Sequence, residues 1–431
     1  MTAGVSLGLD FGTTNTVVAL AGDDGVAQLV RFPQAEVFAF RSALSFHAPA
    51  GRPRQRTVEA GPWAVEAYVE DPGETRFIQS FKAFAASESF TETRILERRY
   101  RFEDLLSAFL LRLRDHAGAG MASLPKRVIV GRPVVFAGAS PNPELALTRY
   151  ETALRRLGFE EILYAYEPVG AAFFFARRLE QGATVLVGDF GGGTSDFSII
   201  RFERQEGEIH ARPLGRSGVG VAGDAFDYRI IDNLVSPELG KGSSYRSFGK
   251  LLPVPNRYYA AFARWDQLAL MRSSRDMGEI RRLRRDAVAA DAVGRLVEVL
   301  DENLGYPLYR AVSQLKEALS RDPAAEFRFE AGSLSIVRPV VRSDFEAWIA
   351  PELALIGTAV DRALADAGLR AEAIDRVFLT GGSSLVPAVR SLFAQRFDPD
   401  RIESGSELES IASGLALIGR ERDLGRWTER A

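Results

Sequence analysis

The segment VLVGDFGGGTSDFSII, from Val185 to Ile200, decides the fold of this chain. It contains an apolar run that leads into Asp189, a turn rich in glycine, and a second apolar run. Val, Leu and Ile favour β-strands, while Gly191–Gly193 can adopt positive φ angles and let backbone amides approach a ligand closely. The segment therefore predicts a β-hairpin whose turn presents N–H groups.

The same pattern occurs earlier, in LGLDFGTTNTVVAL from Leu7 to Leu20. Here too an apolar strand runs into an aspartate, Asp10, and an aromatic residue precedes a glycine, Gly12. Threonines follow in the turn, and a second apolar strand completes the pattern. Two such hairpins predict a duplicated domain, with one hairpin in each half.

A strand and a helix are predicted between the two hairpins. KRVIVGRPVVF (126–136) is typical of a strand that ends at Pro133. PNPELALTRYETALRRLG (141–158) has the periodicity of an amphipathic helix that Gly158 terminates.

A second strand and helix follow in EEILYAYEPVGAAFFFARRLEQG (160–182). Glu167 and Pro168 fit the start of the helix, where proline is tolerated and a carboxylate is favoured, and Gly182 fits its end. The alternation of strands and helices predicts an α/β fold rather than an all-β fold.

A third glycine site follows another apolar strand. RVFLTGGSSLVPAVRSLFAQRF (376–397) predicts a strand, a turn at Gly381–Gly382, and a helix with Ser383 or Ser384 as its N-cap. SELESIASGLALIG (406–419) predicts one more helix.

The composition of the 431 residues excludes several kinds of site. There is no cysteine, so disulfides, thiolate nucleophiles and cysteine metal sites are ruled out. The three histidines are far apart in sequence, which makes a local histidine metal motif impossible. With 54 Lys+Arg, 57 Asp+Glu and a net charge of −3, we expect neither nucleic acid nor membrane as a partner. Without a leader peptide or a bilayer-spanning apolar run, we expect a cytoplasmic protein.

The glycine turns have the chemistry of a phosphate clamp. Backbone N–H groups of Gly12–Asn15 and Gly191–Thr194, with the hydroxyls of Thr13, Thr14 and Thr194, can hold one polyphosphate from opposite sides. The GxxxxGK[ST] motif of the commonest alternative clamp is missing.

Carboxylates at the ends of the strands predict a magnesium site. Asp10 and Asp189 would accept hydrogen bonds from the waters of a hydrated Mg²⁺, and Glu167 is a third candidate. The alternative is that each aspartate only stabilises its turn.

The rarity of lysine gives a further indication of functional residues, because the chain has only five lysines among its 54 basic residues. A compact ammonium differs from a guanidinium at a phosphate or proton-transfer site. Lys82 and Lys316 are therefore functional candidates, with surface solubility as the alternative.

These motifs resemble the nucleotide-binding domain of the heat shock protein 70 (DnaK-type) family, within the actin-like ATPase superfamily. The resemblance covers nearly the whole chain, and GGGTSD after DF is its most specific part. The SFK triplet, the segment ARWDQLALM and the short C-terminus look most like the YegD-like branch. The motifs similar to those of the family are LGLDFGTTNT, VGDFGGGTSDFSI, GDAFD, YEPVGAAFFFA, FLTGGSSLVP and SIASGLALIG.

The resemblance implies a duplicated ribonuclease H-like α/β fold with helical and mixed insertions, in which two lobes surround a nucleotide cleft. It implies ATP or ADP and Mg²⁺ as ligands. The implied catalytic residues are Lys82, Glu167, Asp189 and Thr194, and the implied metal residues are Asp10, Asp189 and Glu167. The implied nucleotide contacts are Gly12, Thr13, Thr14, Asn15, Gly191, Gly192, Gly193, Thr194, Gly223, Lys316, Ser320, Gly381, Gly382 and Ser383.

Three positions depart from the family pattern around the nucleoside. Family members usually have glutamate and arginine where this chain has Ser313 and Glu317, and an arginine where it has Leu385. We therefore expect relaxed purine selection or weakened affinity. The sequence also stops where the family's peptide-binding domain would begin, so we expect an unidentified protein partner but no peptide-binding domain.

The predicted lobe I covers 1–180, with an insertion at about 36–121 and a C-terminal helix at 396–431 that packs back on it. Lobe II covers 181–395, with its core at 181–222 and 335–395 and a mainly helical insertion at 223–334. The predicted function is that of a chaperone-like protein that binds ATP and hydrolyses it slowly. The alternatives on this fold are a sugar-kinase-like phosphotransferase, an actin-like filament protein and a nucleotide-binding pseudo-ATPase.

Overall fold

The computed structural model describes residues 5–48, 56–71, 73–138, 140–205, 208–263, 271, 275–332, 334–405 and 409–431. The segment ARWDQLALM (263–271) lies almost wholly outside these residues. The described strands, in chain order, are β1 (Ser6–Phe11), β2 (Asn15–Ala21), β3 (Ala27–Leu29), β4 (Phe40–Arg41), β5 (Ala43–His47), β6 (Thr57–Ala60), β7 (Thr75–Gln79), β8 (Thr93–Ile95), β9 (Arg98–Tyr100), β10 (Arg127–Arg132), β11 (Glu161–Tyr166), β12 (Ala183–Phe190), β13 (Ser195–Gln205), β14 (Glu208–Val219), β15 (Ser244–Ser247), β16 (Lys250–Pro253), β17 (Ala324–Ala331), β18 (Leu334–Val341), β19 (Arg376–Thr380) and β20 (Ile402–Ser404).

The described α-helices, in chain order, are α1 (Gly61–Glu70), α2 (Phe102–Ala117), α3 (Pro143–Leu157), α4 (Glu167–Ala176), α5 (Gly223–Ile230), α6 (Arg257–Ala260), α7 (Arg275–Asp286), α8 (Ala290–Asp301), α9 (Gly305–Arg321), α10 (Arg342–Trp348), α11 (Ala350–Ala367), α12 (Pro387–Ala394) and α13 (Ser410–Ile418).

The first large sheet confirms the N-terminal hairpin. Its strands lie in the order β11-β10-β1-β2-β3, and β4 also pairs with β2. β1 and β2 are antiparallel, whereas β1, β10 and β11 are parallel. β10 ends at Arg132, as the following proline predicts.

The second large sheet has the same arrangement, in the order β14-β13-β12-β19-β20. β12 pairs antiparallel with β13 and parallel with β19, so the second hairpin is also confirmed. Each sheet is built from five strands of one copy of the repeat, β1, β2, β3, β10 and β11 in the first and β12, β13, β14, β19 and β20 in the second. When the strands of each copy are numbered 1 to 5 along the chain, both sheets have the order 3-2-1-4-5. This shared topology supports the duplication predicted from the two hairpin motifs.

The predicted helices between the hairpins are present, although one of them is shorter. α3 begins after Asn142, whose side chain accepts from Leu145 N–H, and ends at Gly158 with φ 104°. α4 begins at Glu167 as predicted, but it ends at Ala176 and the predicted end at Gly182 is wrong. The last turn tightens instead, because the N–H groups of residues 178 and 179 donate to carbonyls three positions earlier.

Helix α13 packs tightly against α4 and the first sheet. A Cβ at Gly414 would lie 1.6 Å from the carbonyl oxygen of Gly170, and one at Gly8 would lie 2.2 Å from that of Ala412. Only glycines permit this approach. Within the C-terminal segment 396–431, for which a helix was predicted, α13 is the α-helix that the described residues form.

The serine N-cap predicted at the third glycine site, Gly381–Gly382, is not formed. Ser383 and Ser384 lie in a 3₁₀ turn, and α12 begins later, at Pro387, so the predicted serine N-cap is wrong. The Oγ of Ser384 donates to the carbonyl of Gly381 and does not act as the acceptor that an N-cap supplies to the first N–H groups of a helix. Gly381 has φ 82°, and a Cβ there would lie 2.2 Å from the carbonyl oxygen of Phe190.

The chain divides into two compact units. Unit 1 comprises residues 1–222, 355–384 and 389–431 and holds both large sheets, while unit 2 comprises 223–354 and 385–388. Unit 2 contains helices α5 to α10 and the hairpins β15–β16 and β17–β18. The predicted lobes, 1–180 and 181–395, do not have the same boundaries as these two units, and they stay a prediction. In the part of the chain that is described, no helix has the length and apolarity needed to cross a membrane.

Candidate functional site

The two glycine turns of unit 1 have the same backbone geometry. The N–H of Gly12 donates to the carbonyl of Asn15, and the N–H of Gly191 donates to that of Thr194, each at 3.0 Å. A Cβ at Gly12 would lie 2.3 Å from the carbonyl oxygen of Asn15, so this turn requires glycine. The repeated motif therefore produces a repeated turn.

The amides inside each turn are available to a ligand. Among the described residues, the backbone N–H groups of Thr13, Thr14, Gly192 and Gly193 have no acceptor, and all four residues are half-buried. The turns also face each other, since a Cβ at Gly193 would lie 3.6 Å from the Oγ1 of Thr13. Facing rows of free amides are a geometry that binds anions such as phosphates.

Neighbouring serines hold these turns in place. The Oγ of Ser42 donates to the carbonyl of Gly12 at 2.7 Å, and its N–H donates to that of Thr14 at 2.8 Å. The Oγ of Ser383 donates to the carbonyl of Gly191 at 3.5 Å. Ser383, from the third glycine site, therefore lies beside the second turn.

A buried ion pair joins Lys82 and Glu167. Lys82 lies in a 3₁₀ turn after β7, and Glu167 is the first residue of α4. The Nζ of Lys82 donates to the Oε1 of Glu167 at 2.6 Å, and less than a tenth of either side chain is exposed. Burial by itself lowers the pKa of Lys82, but Glu167, Tyr150 and Asp10 together raise it above its ordinary value.

The aspartates of the two motifs lie near this pair and repel one another. Burial, with the Glu167 carboxylate, raises the pKa of Asp10 to about 7, and Lys82 opposes the shift. Burial also raises the pKa of Asp189, with further contributions from Glu167, Asp10 and Asp196. The structure therefore brings together Asp10, Lys82, Glu167 and Asp189, which are distant in sequence.

Asp196 belongs to the same group and was missed as a site residue. It is fully buried, and its Oδ1 accepts from the N–H groups of Val134 and Val135 at 2.7 and 3.1 Å. Burial and Glu167 raise its pKa to about 7, against hydrogen bonds from Thr194 and the two valine amides. Its sequence signal is an aspartate beside the apolar residues Phe197, Ile199 and Ile200 of the strand.

Tyr150 was also missed. It lies on α3, is almost fully buried, and its hydroxyl has no hydrogen-bond partner among the described residues. Burial raises its pKa, while Lys82 and Arg132 oppose the shift and Glu167 and Asp10 reinforce it. Its position on the apolar face of an amphipathic helix predicts a core residue. The charged residues near its hydroxyl come from other segments, so the sequence around Tyr150 does not reveal them.

The acidic group fits a hydrated cation. No three His, Asp or Glu side chains of the described residues are arranged to hold a metal ion directly. However, Asp189 and Asp196 are buried, Asp10 is half-buried, and all three have raised pKa values, while the Oδ2 of Asp196 has no partner within the described chain. Mg²⁺ prefers such oxygen acceptors and usually keeps several of its waters.

The other predicted nucleotide contacts form a cluster within unit 2. The Nζ of Lys316, on α9, lies 2.7 Å from the Oδ1 of Asp227 and donates to the carbonyl of Gly223 at 3.4 Å. The Oγ of Ser320 donates to the carbonyl of Lys316, one helical turn earlier. Asp227 is thus the carboxylate partner of Lys316, and the Lys316–Asp227 pair was not predicted from the sequence.

The chain is similar to proteins of one known family. The family model "Hsp70 protein" matches residues 301–420. The chaperone protein DnaK of Thermus thermophilus is 24% identical over 97% of this chain, and the DnaK of Thermotoga petrophila is 25% identical over 97%. The DnaK of Thermosipho melanesiensis is 24% identical over 95%.

The chain spans 62%, 61% and 58% of the length of these three relatives, respectively. The match is supported by the mixed α/β fold with two mixed sheets and by the paired glycine turns. The chain is therefore similar to the Hsp70 family over residues 301–420 and to DnaK proteins over nearly all of its length.

Proposed function

We propose that this protein binds ATP through its paired glycine turns and hydrolyses it. The observation that carries the proposal is the approach of Gly193 to Thr13, which sets two rows of free amides against each other in unit 1. The buried Lys82–Glu167 pair and three aspartates lie in the same unit. Anion-binding amides beside an acidic cation site suit a metal-bound polyphosphate.

Each group has a role in this proposal. The amides of Gly12–Asn15 and Gly191–Thr194, with the hydroxyls of Thr13, Thr14 and Thr194, hold the phosphate oxygens. Asp10 and Asp189, with Glu167, would hold a hydrated Mg²⁺, which when bound would supply neutralisation of phosphate charge.

Hydrolysis then depends on how a water molecule is placed. The Glu167 carboxylate accepts a hydrogen bond from the water, and Lys82 orients that carboxylate through its own hydrogen bond to Oε1. The water oxygen attacks the γ-phosphorus, the bond from phosphorus to the ADP oxygen breaks, and the water proton leaves to a phosphate oxygen or solvent. Positioning and charge neutralisation provide most of the rate in such reactions, and we infer a slow turnover.

The nucleoside part of the site is also a proposal. The contacts that the resemblance implies for it, Gly223, Lys316, Ser320, Gly381, Gly382 and Ser383, stay a prediction. Lys316 is already paired with Asp227, and Ser313, Glu317 and Leu385 replace the usual partners of the base. We infer that purine selection is weak and that the phosphates supply most of the affinity.

The cellular role is proposed from the family. We infer a chaperone-like protein of the YegD-like branch that acts in the cytoplasm and presents a nucleotide-dependent surface to a protein partner. The relatives are named chaperones, and this chain matches only about three-fifths of their length. Peptide capture by this chain alone is not part of the proposal.

Calorimetric titration with ATP, ADP and GTP, with and without Mg²⁺, tests the proposal together with Mg²⁺-dependent phosphate release. We expect one saturable site for ATP that needs Mg²⁺ for full affinity, and slow release of phosphate. Binding without any release would support a pseudo-ATPase instead. Failure of all three nucleotides to bind would refute the proposal.

A further inference from the structure

We propose that the hairpin Ser244–Pro253, formed by β15 and β16 and called here the unit 2 hairpin, docks onto an acidic protein surface that has an apolar pocket. This surface lies in unit 2, and the inference does not depend on ATP hydrolysis. It rests on three observations: exposed apolar side chains, the backbone of the hairpin turn, and the charge of the surrounding sequence.

Exposed apolar side chains concentrate at this hairpin. Phe248 is fully exposed, Leu251 is 64% exposed, and Leu252 and the adjacent Val288 are exposed as well. The other exposed large apolar side chains of the described residues are scattered along the chain. Scattered apolar residues are normal on a protein surface, whereas a local group of them indicates a contact site.

The turn presents Phe248 at a cost in free energy. Ser247 pairs with Lys250, so the turn has only two residues, Phe248 with φ 47° and Gly249 with φ 74°. Turns in which both residues have positive φ favour Asn-Gly or Gly-Gly, because a bulky side chain is strained there. Phe248 is thus strained and exposed at once, and it gains no contact within the chain. A partner that buries this ring would supply the missing stabilisation.

The hairpin is held firmly enough to present the ring in a fixed position. The N–H of Val254 donates to the carbonyl of Ser243 at 2.9 Å, and the N–H of Val288 donates to that of Ser244 at 2.8 Å. Tyr245 also forms a β-bridge with Ala287. A preorganised arm loses little entropy when it binds.

Charge selects the kind of partner. Residues 241–263 include four cationic side chains and no Asp or Glu. Lys241 and Arg257 are paired with acids in unit 2, but Arg246 and Lys250, which flank the ring, have no ion pair to any described residue. A complementary surface therefore carries carboxylates around a pocket for Phe248, the usual form of an aromatic anchor with a charged rim.

Other occupants fit these observations less well. One aromatic side chain and two free cations give only weak, reversible attachment to an anionic membrane. Binding of two cations to nucleic acid would release few counterions, so the affinity would be low, and phosphates would not bury the exposed apolar side chains. Two copies of this hairpin would bring like charges together.

Site-specific photocrosslinking in the native host tests the proposal. The full chain carries p-benzoylphenylalanine in place of Leu251, beside an intact Phe248, and the same probe at Leu111 on α2 is the control. We expect cross-links from position 251 to one protein, within a segment that contains Asp or Glu and apolar residues. Cross-links only to lipid, nucleic acid or a second copy, or none to protein, would overturn it.

Two substitutions separate docking from a structural role. Phe248→Asn should lower the cross-link yield at least about tenfold, while the melting temperature stays equal or rises because Asn suits the left-handed turn. Lys250→Glu should also lower the yield, and an acid-to-lysine change in the partner should restore it. ATP turnover should not change in either variant. An unchanged yield, or a melting temperature several degrees lower in Phe248→Asn, would contradict the proposal.

Discussion

The ammonium of Lys82 lies 2.6 Å from the carboxylate of Glu167, and both side chains are buried. One comes from a short turn after β7 and the other from the first turn of α4. The pair lies near Asp10, Asp189 and Asp196; Lys82 attracts the first two, whereas Glu167 repels all three.

Glu167→Gln tests the role of this pair in hydrolysis. We expect phosphate release to fall by at least about a hundredfold, because an amide is a poor acceptor for a reacting water. ATP affinity should change only a few-fold, since the amide keeps the shape of the side chain. Glu160→Gln is the matched control, because Glu160 forms an exposed pair with Lys126. Normal turnover in Glu167→Gln would refute the site assignment.

Lys82→Ala should affect both activity and stability. It leaves the Glu167 carboxylate buried without its cation, so we expect a loss of about 3 kcal/mol in the free energy of unfolding, measured by urea denaturation. Phosphate release should also stop. Lys126→Ala, at an exposed pair, should change neither quantity measurably. A Lys82→Ala protein with unchanged stability would show that the pair is not buried.

Tyr150→Phe tests the hydroxyl that lacks a partner. Removing a buried, unpaired hydroxyl should leave stability equal or higher, whereas turnover should fall about tenfold if that hydroxyl binds a site water. Tyr164→Phe is the control, because the hydroxyl of Tyr164 donates to the carbonyl of Leu147 and its loss should cost about 1 kcal/mol. A large loss of stability in Tyr150→Phe would contradict this account.

The aspartates make stability depend on pH. Asp10 and Asp196 have folded-state pKa values of about 7, above the ordinary value of 3.8, so the folded chain binds more protons than the unfolded chain between these values. In metal-free buffer the free energy of unfolding should therefore fall as pH rises through this window. Asp196→Asn should make the fall shallower, while Asp291→Asn on the surface of α8 should not. Denaturation at several pH values checks this, and a rise in stability with pH would contradict it.

The helix crossing at Gly414 gives a test of the fold. Gly414→Ala places a Cβ 1.6 Å from the Gly170 carbonyl, and we expect a loss of about 3 kcal/mol or more. Gly278→Ala, on α7 with open space around it, should stabilise the chain by about 0.5–1 kcal/mol. Thermal denaturation of the two variants measures the difference, and equal melting temperatures would contradict the packing.

The sequence was most informative where local physics decides the structure. The two hairpins, the strand before Pro133 and the helix capped by Gly158 follow from propensity, turn chemistry and periodicity. The sequence did not predict the end of α4 at Ala176, since a tightened last turn leaves no glycine or proline signal. Helix α12 begins at Pro387 because Ser384 bonds to its own turn, which a serine near a helix start does not reveal.

The candidate site was predicted in part for the same reason. Its glycines, Asp10 and Asp189 lie in sequence motifs that predict them. The role of Asp196 depends on hydrogen bonds from amides that follow β10, a strand of the other sheet, and no local motif predicts these bonds. Tyr150 has a helical position typical of a core residue, and the charged residues around it come from four other segments of the chain. Phe248 has no motif, and only the φ angle and the exposure of the folded hairpin single it out.

The most direct test of the central claim is a calorimetric titration, in the presence of Mg²⁺, of the chain with ATP, ADP and AMP. If the paired glycine turns hold the polyphosphate, ATP should bind at one site, ADP should bind more weakly, and AMP should show no measurable binding. Equal affinity for AMP and ATP, or no binding of ATP at all, would contradict the claim that these turns form a phosphate clamp.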